Sequence, residues 1–246
     1  MFSSKKKLIV SGCSYTEDCY NFPVWPTVLA EKLDMQVVNL AHSGNGNEFI
    51  YNTLMDYIIC ENKKNIGLVI AMWSEFQRMD FQMSDKITWK NIHTMRDNKY
   101  SWKNSIRDKF VKEAIHEVFA RTQKSIRLFY TFQEVMKNKN IKYLQIVGTY
   151  PEPNAGTGRM AGAKNLLNSE YQDHIDESKF IGWPIFQDIG GFTVDDFLIE
   201  HDPKRQKNII DGTLNEAMHP TDNHPNKLGH EQIANLIYDY YVENIK

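Results

Sequence analysis

Cysteine is scarce in this sequence, and long apolar stretches are missing from it. Its three cysteines are odd in number and match no common metal-ligand spacing, which predicts reduced thiols in a cytosol-like compartment. No window approaches the ~18 consecutive apolar residues of a membrane span. The N-terminus, MFSSKKK followed by LIVSG, has too short an apolar part for a secretory signal. We therefore expect a cytoplasmic protein with no membrane partner.

An excess of either charge is also missing. The formal net charge is -2, and lysine and arginine are interspersed with aspartate and glutamate. Nucleic-acid binding depends on a basic face, so nucleic acid is not expected as a partner. Hydrophobic residues make up 41% of the 246 residues and charged residues 24%, the usual balance of a globular protein. A chain of this length buries enough surface to fold without a disulfide or a metal.

Short apolar runs alternate with helical patterns along the chain. Four runs predict buried strands: Lys7 to Ser11, Met35 to Leu40, Ile66 to Trp73 and Ile141 to Gly148. Helices are predicted from Pro26, from Asn47 as a capping residue, and from Asn226 to the end. Apolar residues between Ile106 and Met136 recur at helical spacing and predict one long helix or two. Strands that are apolar on both faces and alternate with helices predict an α/β fold, a three-layer α/β/α sandwich with a parallel central sheet.

Two stretches do not follow this alternation. Residues 76–105 and 150–212 are polar, are rich in Gly, Pro and aromatic residues, and have no clean periodicity. Neither has the composition of a flexible linker. We predict a single domain, residues 1–246, with these stretches as insertions over one end of the sheet, where long loops commonly form lids or binding loops.

Chemistry-bearing residues follow the predicted strands. In open parallel sheets, ligands bind beyond the carboxyl ends of the strands. Ser14 follows the first strand, Gly44 follows the second, and Asp222 and His224 precede the last helix. A hydroxyl, an imidazole that takes its proton and a carboxylate that orients the imidazole are the components of acyl transfer. Backbone amides at Ser14 and Gly44 would face the developing oxyanion.

The same short blocks resemble those of the SGNH (GDSL-type) hydrolases, named for Ser, Gly, Asn and His. Blocks one, two and four are Gly12-Cys13-Ser14-Tyr15-Thr16, Asn39-Leu40-Ala41 through Gly44 and Asn47, and Asp222-Asn223-His224-Pro225-Asn226. The resemblance covers nearly the whole chain and implies a flavodoxin-like arrangement. It implies a serine esterase that acts through an acyl-enzyme on Ser14, with His224 as base, Asp222 as its partner and no cofactor. The expected substrate is a small-molecule or carbohydrate ester, such as an O-acetyl group on a carbohydrate.

The third block departs from the family pattern. Where the family has Gly-x-Asn-Asp, with the Asn as an oxyanion donor, this chain has Trp73-Ser74-Glu75-Phe76. We predict Ser74 and Asn47 as oxyanion donors beside Ser14 and Gly44, with Asn45 as an alternative. Loss of one such donor typically costs about 100- to 1000-fold in rate. The departure therefore motivates a rival hypothesis, a catalytically weak or inactive module that recognises a glycan. An acyltransferase is a further alternative.

Several residues have a second interpretation. His219, preceded by Glu216, is a rival to His224 as the base, and Cys13 is a rival nucleophile. A metal site formed by His219, Asp222, His224 and His230 is not predicted, because the spacing matches no common zinc pattern. Tyr15, Glu75 and Arg78 are predicted substrate contacts. The Trp-Ser…Arg form of the third block resembles uncharacterised members from bacteria and phages, so virion association is expected if the chain is phage-encoded. The sequence predicts no oligomeric state.

Overall fold

A computed structural model describes residues 5–85, 87–152, 157–201 and 224–245. Within these ranges the chain forms seven strands and seven α-helices, besides four short 3-10 helices. The strands are β1 (Lys7–Ser11), β2 (Gln36–Asn39), β3 (Ile66–Trp73), β4 (Arg78–Gln82), β5 (Trp89–His93), β6 (Tyr143–Val147) and β7 (Phe180–Ile181). The helices are α1 (Trp25–Leu33), α2 (Asn47–Cys60), α3 (Ser101–Lys112), α4 (Val118–Lys139), α5 (Thr157–Leu167), α6 (Val194–His201) and α7 (Lys227–Asn244).

Five of the strands form one parallel sheet, in the order β2-β1-β3-β6-β7. This is the strand order of flavodoxin-like folds, in which chain order reverses beside the first strand. All eight residues of β3 are buried because helices cover both faces of the sheet. The carboxyl ends of β1, β2, β3 and β6 therefore meet at one edge, where the loops that follow these strands come together.

Helices cover the sheet on both sides. Alternate side chains of the strands, such as Val69 and Ala71, pack with α2, α4 and α5 on one face. Their neighbours, such as Leu68 and Ile70, pack with α1, α6 and α7 on the other face. The predicted three-layer α/β/α sandwich with a parallel central sheet is confirmed. None of the helices within the described ranges is both long enough and apolar enough to span a membrane.

The stretch predicted as an insertion at residues 76–105 contains a hairpin of β4 and β5, which pair antiparallel in a separate two-stranded sheet. The hairpin is joined to α2 through Asp80. Both carboxylate oxygens of Asp80 lie 2.9 Å from the backbone nitrogen of Gly46, and Oδ2 also accepts the N–H of Phe49 at 3.1 Å. Free N–H groups at a helix start need acceptors, and Gly46 has no side chain to supply one. Asn47 was predicted as the cap of α2, but the acceptor comes from the hairpin.

The stretch 150–212, as far as it is described, contributes to the sandwich itself. It supplies β7, which pairs with β6 at Gln145 and Ile146 and forms the edge of the sheet, together with α5 and α6. The sequence did not predict β7, because two residues are too few to show periodicity. The apolar recurrence from Ile106 to Met136 corresponds to two helices, α3 and α4, which is one of the two predicted alternatives.

Candidate active site

Ser14 and His224 meet at the carboxyl edge of the sheet. Ser14 lies in a turn directly after β1, closed by hydrogen bonds from the backbone N–H groups of Thr16 and Glu17 to the carbonyl of Cys13, at 2.9 and 3.1 Å. His224 lies just before α7, and its Nε2 is 2.5 Å from Ser14 Oγ. The two residues are 210 positions apart in the chain, so only the fold brings them together. A serine hydroxyl within hydrogen-bond reach of an imidazole is the geometry that proton abstraction requires.

The start of α7 is fixed close to His224. The side chain of Asn226, the N-cap residue, accepts the N–H of Gly229 at 2.8 Å, and α7 begins at Lys227, three residues after His224. On the same helix, His230 is fully buried, and its Nδ1 accepts the N–H of Trp25 at the start of α1 at 3.2 Å. His230 therefore joins two helices of the same layer. The Asn226 cap and the His230–Trp25 hydrogen bond therefore fix the position of the helix that follows His224.

Tyr15 fills the space between the turn and α6. Its ring meets the His224 ring edge-on, with the centroids 5.3 Å apart. Its phenol donates a hydrogen bond of 2.6 Å to Oδ1 of Asp195, whose Oδ2 accepts the N–H of Tyr150 at 3.3 Å. Tyr15 is predicted as a substrate contact, and the structure places it as a buried neighbour of the imidazole with its hydroxyl bonded inside the protein.

Two backbone amides near Ser14 remain available for a ligand. Neither the N–H of Ser14 nor that of Gly44 donates a hydrogen bond to any of the described residues. Gly44 has a φ of +81°, a conformation that glycine adopts without strain. Asn39 joins the turn after β1 to the loop after β2. Its Nδ2 donates to the carbonyl of Thr16 at 2.6 Å, and its Oδ1 accepts the N–H of Ala41 at 3.1 Å.

Asn47 connects α2 to the third block. Its Oδ1 accepts the N–H of Ser74 at 2.8 Å, and its Nδ2 donates to the carbonyl of Ser74 at 3.3 Å and to Oγ of Ser125 at 3.1 Å. Both amide hydrogens of Asn47 are thus used inside the protein. Ser74 Oγ is fully buried and has no hydrogen-bond partner among the described residues.

A cluster of charged and titratable groups follows β3. The carboxylate of Glu75 lies 2.9 Å from Nη2 of Arg78 and 2.8 Å from Nε2 of His93 in β5. Burial raises the pKa of Glu75, but the hydrogen bond from His93 and the charge of Arg78 outweigh burial and bring that pKa down to about 2. Burial also lowers the pKa of His93, more than Glu75 raises it. At neutral pH a neutral His93 therefore donates Nε2–H to an ionised Glu75.

Arg78 connects this cluster to the loop after β2. Its Nη1 donates to the carbonyl of Asn45 at 3.0 Å, and the residue is 6% exposed. Burial lowers the pKa of Arg78, but the nearby Cys13 and Glu75 more than offset burial, and the net shift is upward. The predicted substrate contacts Glu75 and Arg78 are thus bonded to each other and lie beside the Gly44 loop. The Glu75 side chain keeps 16% of its surface exposed.

Four residues of the sequence analysis fall outside the described residues. They are Glu216, His219, Asp222 and Asn223. Within the part of the chain that is described, no group of three or more His, Cys, Asp or Glu side chains is arranged to hold a metal ion. The structure therefore brings together Ser14, Tyr15, Gly44, Asn47, Ser74, Glu75, Arg78 and His224 around one edge of the sheet.

Comparison with solved structures gives the same architecture. A chain from Desulfitobacterium hafniense DCB-2, described as a lipolytic protein of the G-D-S-L family, matches with a TM-score of 0.51 and 12% identity, covering 96% of this chain and 99% of that chain. The two chains share a fold. TesA matches with a TM-score of 0.46 and 14% identity, covering 98% and 100%. The acetyl xylan esterase AlAXEase matches with a TM-score of 0.48 and 13% identity, covering 95% and 98%. No protein-family model and no curated protein matches the chain.

Several residues of the site were not identified from the sequence. Asp195 and His93 lie in stretches without periodicity, and their partners are remote in the chain: Tyr15 is 180 positions from Asp195, and Glu75 is 18 from His93. Nothing local marks such residues. Glu17 was also missed, but a local signal was present, because its carboxylate follows Ser14 by three residues and lies in the same turn.

Proposed function

We propose that the protein is a serine esterase of the SGNH type that hydrolyses a carboxylic ester through an acyl-enzyme on Ser14. The observation that carries this proposal is the 2.5 Å contact between Ser14 Oγ and His224 Nε2 at the carboxyl edge of a parallel sheet. The order of the motif blocks along the chain and the shared G-D-S-L fold support it. The backbone N–H groups of Ser14 and Gly44, which donate to none of the described residues, support it further as candidate oxyanion donors.

The proposed reaction has two halves. Ser14 Oγ bonds to the carbonyl carbon while His224 Nε2 takes the serine proton, and the N–H groups of Ser14 and Gly44 hold the oxyanion. When the intermediate collapses, the C–O bond to the alcohol breaks and the alcohol leaves with the proton from His224. A water molecule then attacks the acyl-enzyme with His224 again as base, releasing the carboxylic acid and restoring Ser14. We assign the orientation of the imidazole to Asp222, as the resemblance implies.

The third block needs a separate assignment. Asn47 makes two hydrogen bonds to the backbone of Ser74 and a third to Ser125 Oγ, which together use both its amide hydrogens, so we assign Asn47 a positioning role. Ser74 Oγ is the side-chain donor that we propose for the oxyanion, since its hydroxyl has no partner among the described residues. The hydroxyl is buried, and it has to reorient when an ester binds. Ser74→Ala should then lower kcat by about 10- to 100-fold, somewhat less than the loss of a fully formed donor.

The substrate class that we propose is an O-acetylated carbohydrate. Trp102 and Tyr100, at the start of α3, are 45% and 52% exposed, and such rings suit the apolar faces of sugars. Glu75 and Arg78 are assigned to substrate contact at the loop after β3, with Tyr15 beside the imidazole. Release of acetate from an acetylated polysaccharide, compared between wild type and Trp102→Ala, tests this assignment. Equal rates for the two proteins would exclude the Trp102 ring from substrate binding.

A fluorophosphonate probe and p-nitrophenyl acetate test the reaction itself. Wild type should be labelled at Ser14 and should turn over the ester. Ser14→Ala should lose labelling and at least about 1000-fold of kcat, as when other triad nucleophiles are removed. The matched variant Cys13→Ala should be labelled at Ser14 like wild type. Labelling of Cys13 in place of Ser14 would give the nucleophile to the rival residue.

The identity of the base is tested with a pair of histidine variants. His224→Gln should abolish turnover, and His219→Gln should leave it intact, with thermal unfolding measured for both. The reverse result would assign the base to His219. Absence of both labelling and turnover in a folded wild type would favour the glycan-binding module. Formation of an acylated sugar without release of the free acid would favour the acyltransferase.

A further inference from the structure

Glu17 connects the turn that carries Ser14 to the loop that carries Gly44. Its Oε2 accepts the backbone N–H of Ser43 at 2.9 Å and also the Ser43 hydroxyl. Its Oε1 lies 2.8 Å from Nδ1 of His42. One carboxylate, three residues after the proposed nucleophile, thus holds the two residues that precede Gly44.

The tip of the Gly44 loop is exposed and packs against few side chains. His42, Ser43 and Gly44 are all exposed, and a Cβ built on Gly44 would meet no atom within 4 Å. The loop is bonded at its base, where the N–H of His42 donates to the carbonyl of Gly12 at 3.2 Å. A turn hydrogen bond from the N–H of Asn45 to the carbonyl of His42, at 3.4 Å, spans the tip. Side-chain packing therefore does not set the orientation of the Ser43–Gly44 peptide, and the contacts of Glu17 restrain it beside this long turn hydrogen bond.

Glu17 is ionised in this arrangement. Partial burial raises the pKa of its carboxyl, but the hydrogen bonds from Ser43 and His42 outweigh burial, and the pKa lies below its usual value. A charged acceptor makes stronger and shorter hydrogen bonds than a neutral one. The restraint on Ser43 is therefore stronger than an exposed serine–glutamate contact between neutral groups would be.

We propose that Glu17 is a positioning residue for the oxyanion site, which fixes Ser43 and thereby aims the N–H of Gly44 at the same point as the N–H of Ser14. This inference rests on the proposed function, because it assumes that these amides hold an oxyanion. Glu17 itself touches no reacting atom. Its effect arises because the donors must be in place before charge develops, and a donor displaced by about 1 Å costs on the order of 100-fold in rate.

Steady-state kinetics with p-nitrophenyl acetate test the catalytic part. Glu17→Ala should lower kcat by about 10- to 100-fold and leave KM within about threefold, because the donor acts on the transition state. Glu17→Gln should recover most of the loss, since its amide oxygen can still accept the N–H of Ser43. The matched control is Asp18→Ala, which removes a neighbouring exposed carboxylate and should behave as wild type. A kcat for Glu17→Ala equal to that of Asp18→Ala, or a change confined to KM, overturns the proposal.

Amide hydrogen exchange at Ser43 tests the restraint without relying on turnover. In wild type this amide should be protected, and in Glu17→Ala it should exchange at least about tenfold faster, while the amides of β1 and β3 keep their rates. Equal exchange of Ser43 in the two proteins overturns the restraint, whatever the kinetics show. A wild type that is neither labelled nor active, with protection lost in Glu17→Ala, overturns the proposed function and the catalytic role of Glu17 with it.

Discussion

The loops on the two sides of Ser14 are held in different ways. The Gly44 loop, after β2, is exposed and is restrained by the partly exposed carboxylate of Glu17. The loop after β3 is held by the buried residues Arg78 and His93 together with the largely buried Glu75, and by the hydrogen bonds between Asn47 and Ser74. An exposed contact contributes little to folding, whereas the loss of one member of a buried charged network costs much. We therefore expect changes in the first loop to affect rate, and changes around the second to affect stability.

The largest effect on stability is expected at Asp80, which lies in the same hairpin as Arg78 and His93. Asp80→Ala removes the acceptor of the N–H groups of Gly46 and Phe49 and of the Asn91 amide. Leaving such donors unsatisfied should lower the free energy of unfolding by about 3 kcal/mol. Urea denaturation checks this value. Asp85→Ala, in the exposed turn of the same hairpin, is the control and should lose much less; equal losses would mean that the α2 cap is unimportant.

The next effect concerns Glu75 and depends on pH. In the folded protein Glu75 keeps its charge down to a pKa of about 2, whereas an unperturbed glutamate has a pKa of 4.5. Its contribution to stability is therefore complete above pH 4.5 and is lost as the pH falls toward 2. The stability difference between wild type and Glu75→Gln should shrink by about 2 kcal/mol between pH 7 and pH 3. Denaturation curves at both pH values measure it, and a constant difference would contradict the low pKa.

Gly44→Ala and Gly190→Ala form a matched pair of variants that tests the role of the loop after β2. Both have positive φ, +81° and +90°, and a Cβ at either meets nothing within 4 Å. Alanine at each should therefore cost a similar backbone strain, about 1–2 kcal/mol. Only Gly44→Ala should lower kcat, because of these two glycines only Gly44 is a proposed oxyanion donor. If both variants, or neither, change kcat at unchanged KM, the assigned role of the Gly44 loop is wrong.

The smallest effect is expected at Asn226. Asn226→Ala removes the acceptor of the Gly229 N–H at the start of α7 and should cost about 1 kcal/mol. The change removes no titratable group, so the cost should be the same at pH 7 and pH 3, which makes this variant a control for Glu75. Thermal and urea denaturation give the value. A pH-dependent cost would show that the cap is coupled to a titrating neighbour.

The central sheet was predictable from the sequence because its strands are buried on both faces. β1 and β3 have the predicted bounds, since Lys7–Ser11 and Ile66–Trp73 are short apolar runs ended by polar or turn residues. The edge strand β7 was not predictable, because Phe180–Ile181 is too short to form a pattern.

The candidate site likewise has a part that the sequence predicted and a part that it did not. Motif blocks suggested that Ser14 and His224 approach each other, but no local signal marks the bonds that hold their surroundings. Asp80 caps a helix 33 residues earlier in the chain, and Asp195 binds a tyrosine 180 residues away. Such partners are chosen by tertiary packing, so the sequence near either residue does not reveal them.

Gly46 and the hairpin depend on each other in a way that bears on protein engineering. A Cβ at position 46 would lie 2.6 Å from Cβ of Arg78 and 2.9 Å from Oδ2 of Asp80, so no serine or aspartate fits there while the hairpin is present. A designer who shortens the hairpin deletes the acceptor for α2 and, with Arg78 still in place, cannot restore it at position 46. Grafting a different hairpin to change specificity must therefore retain a carboxylate at position 80.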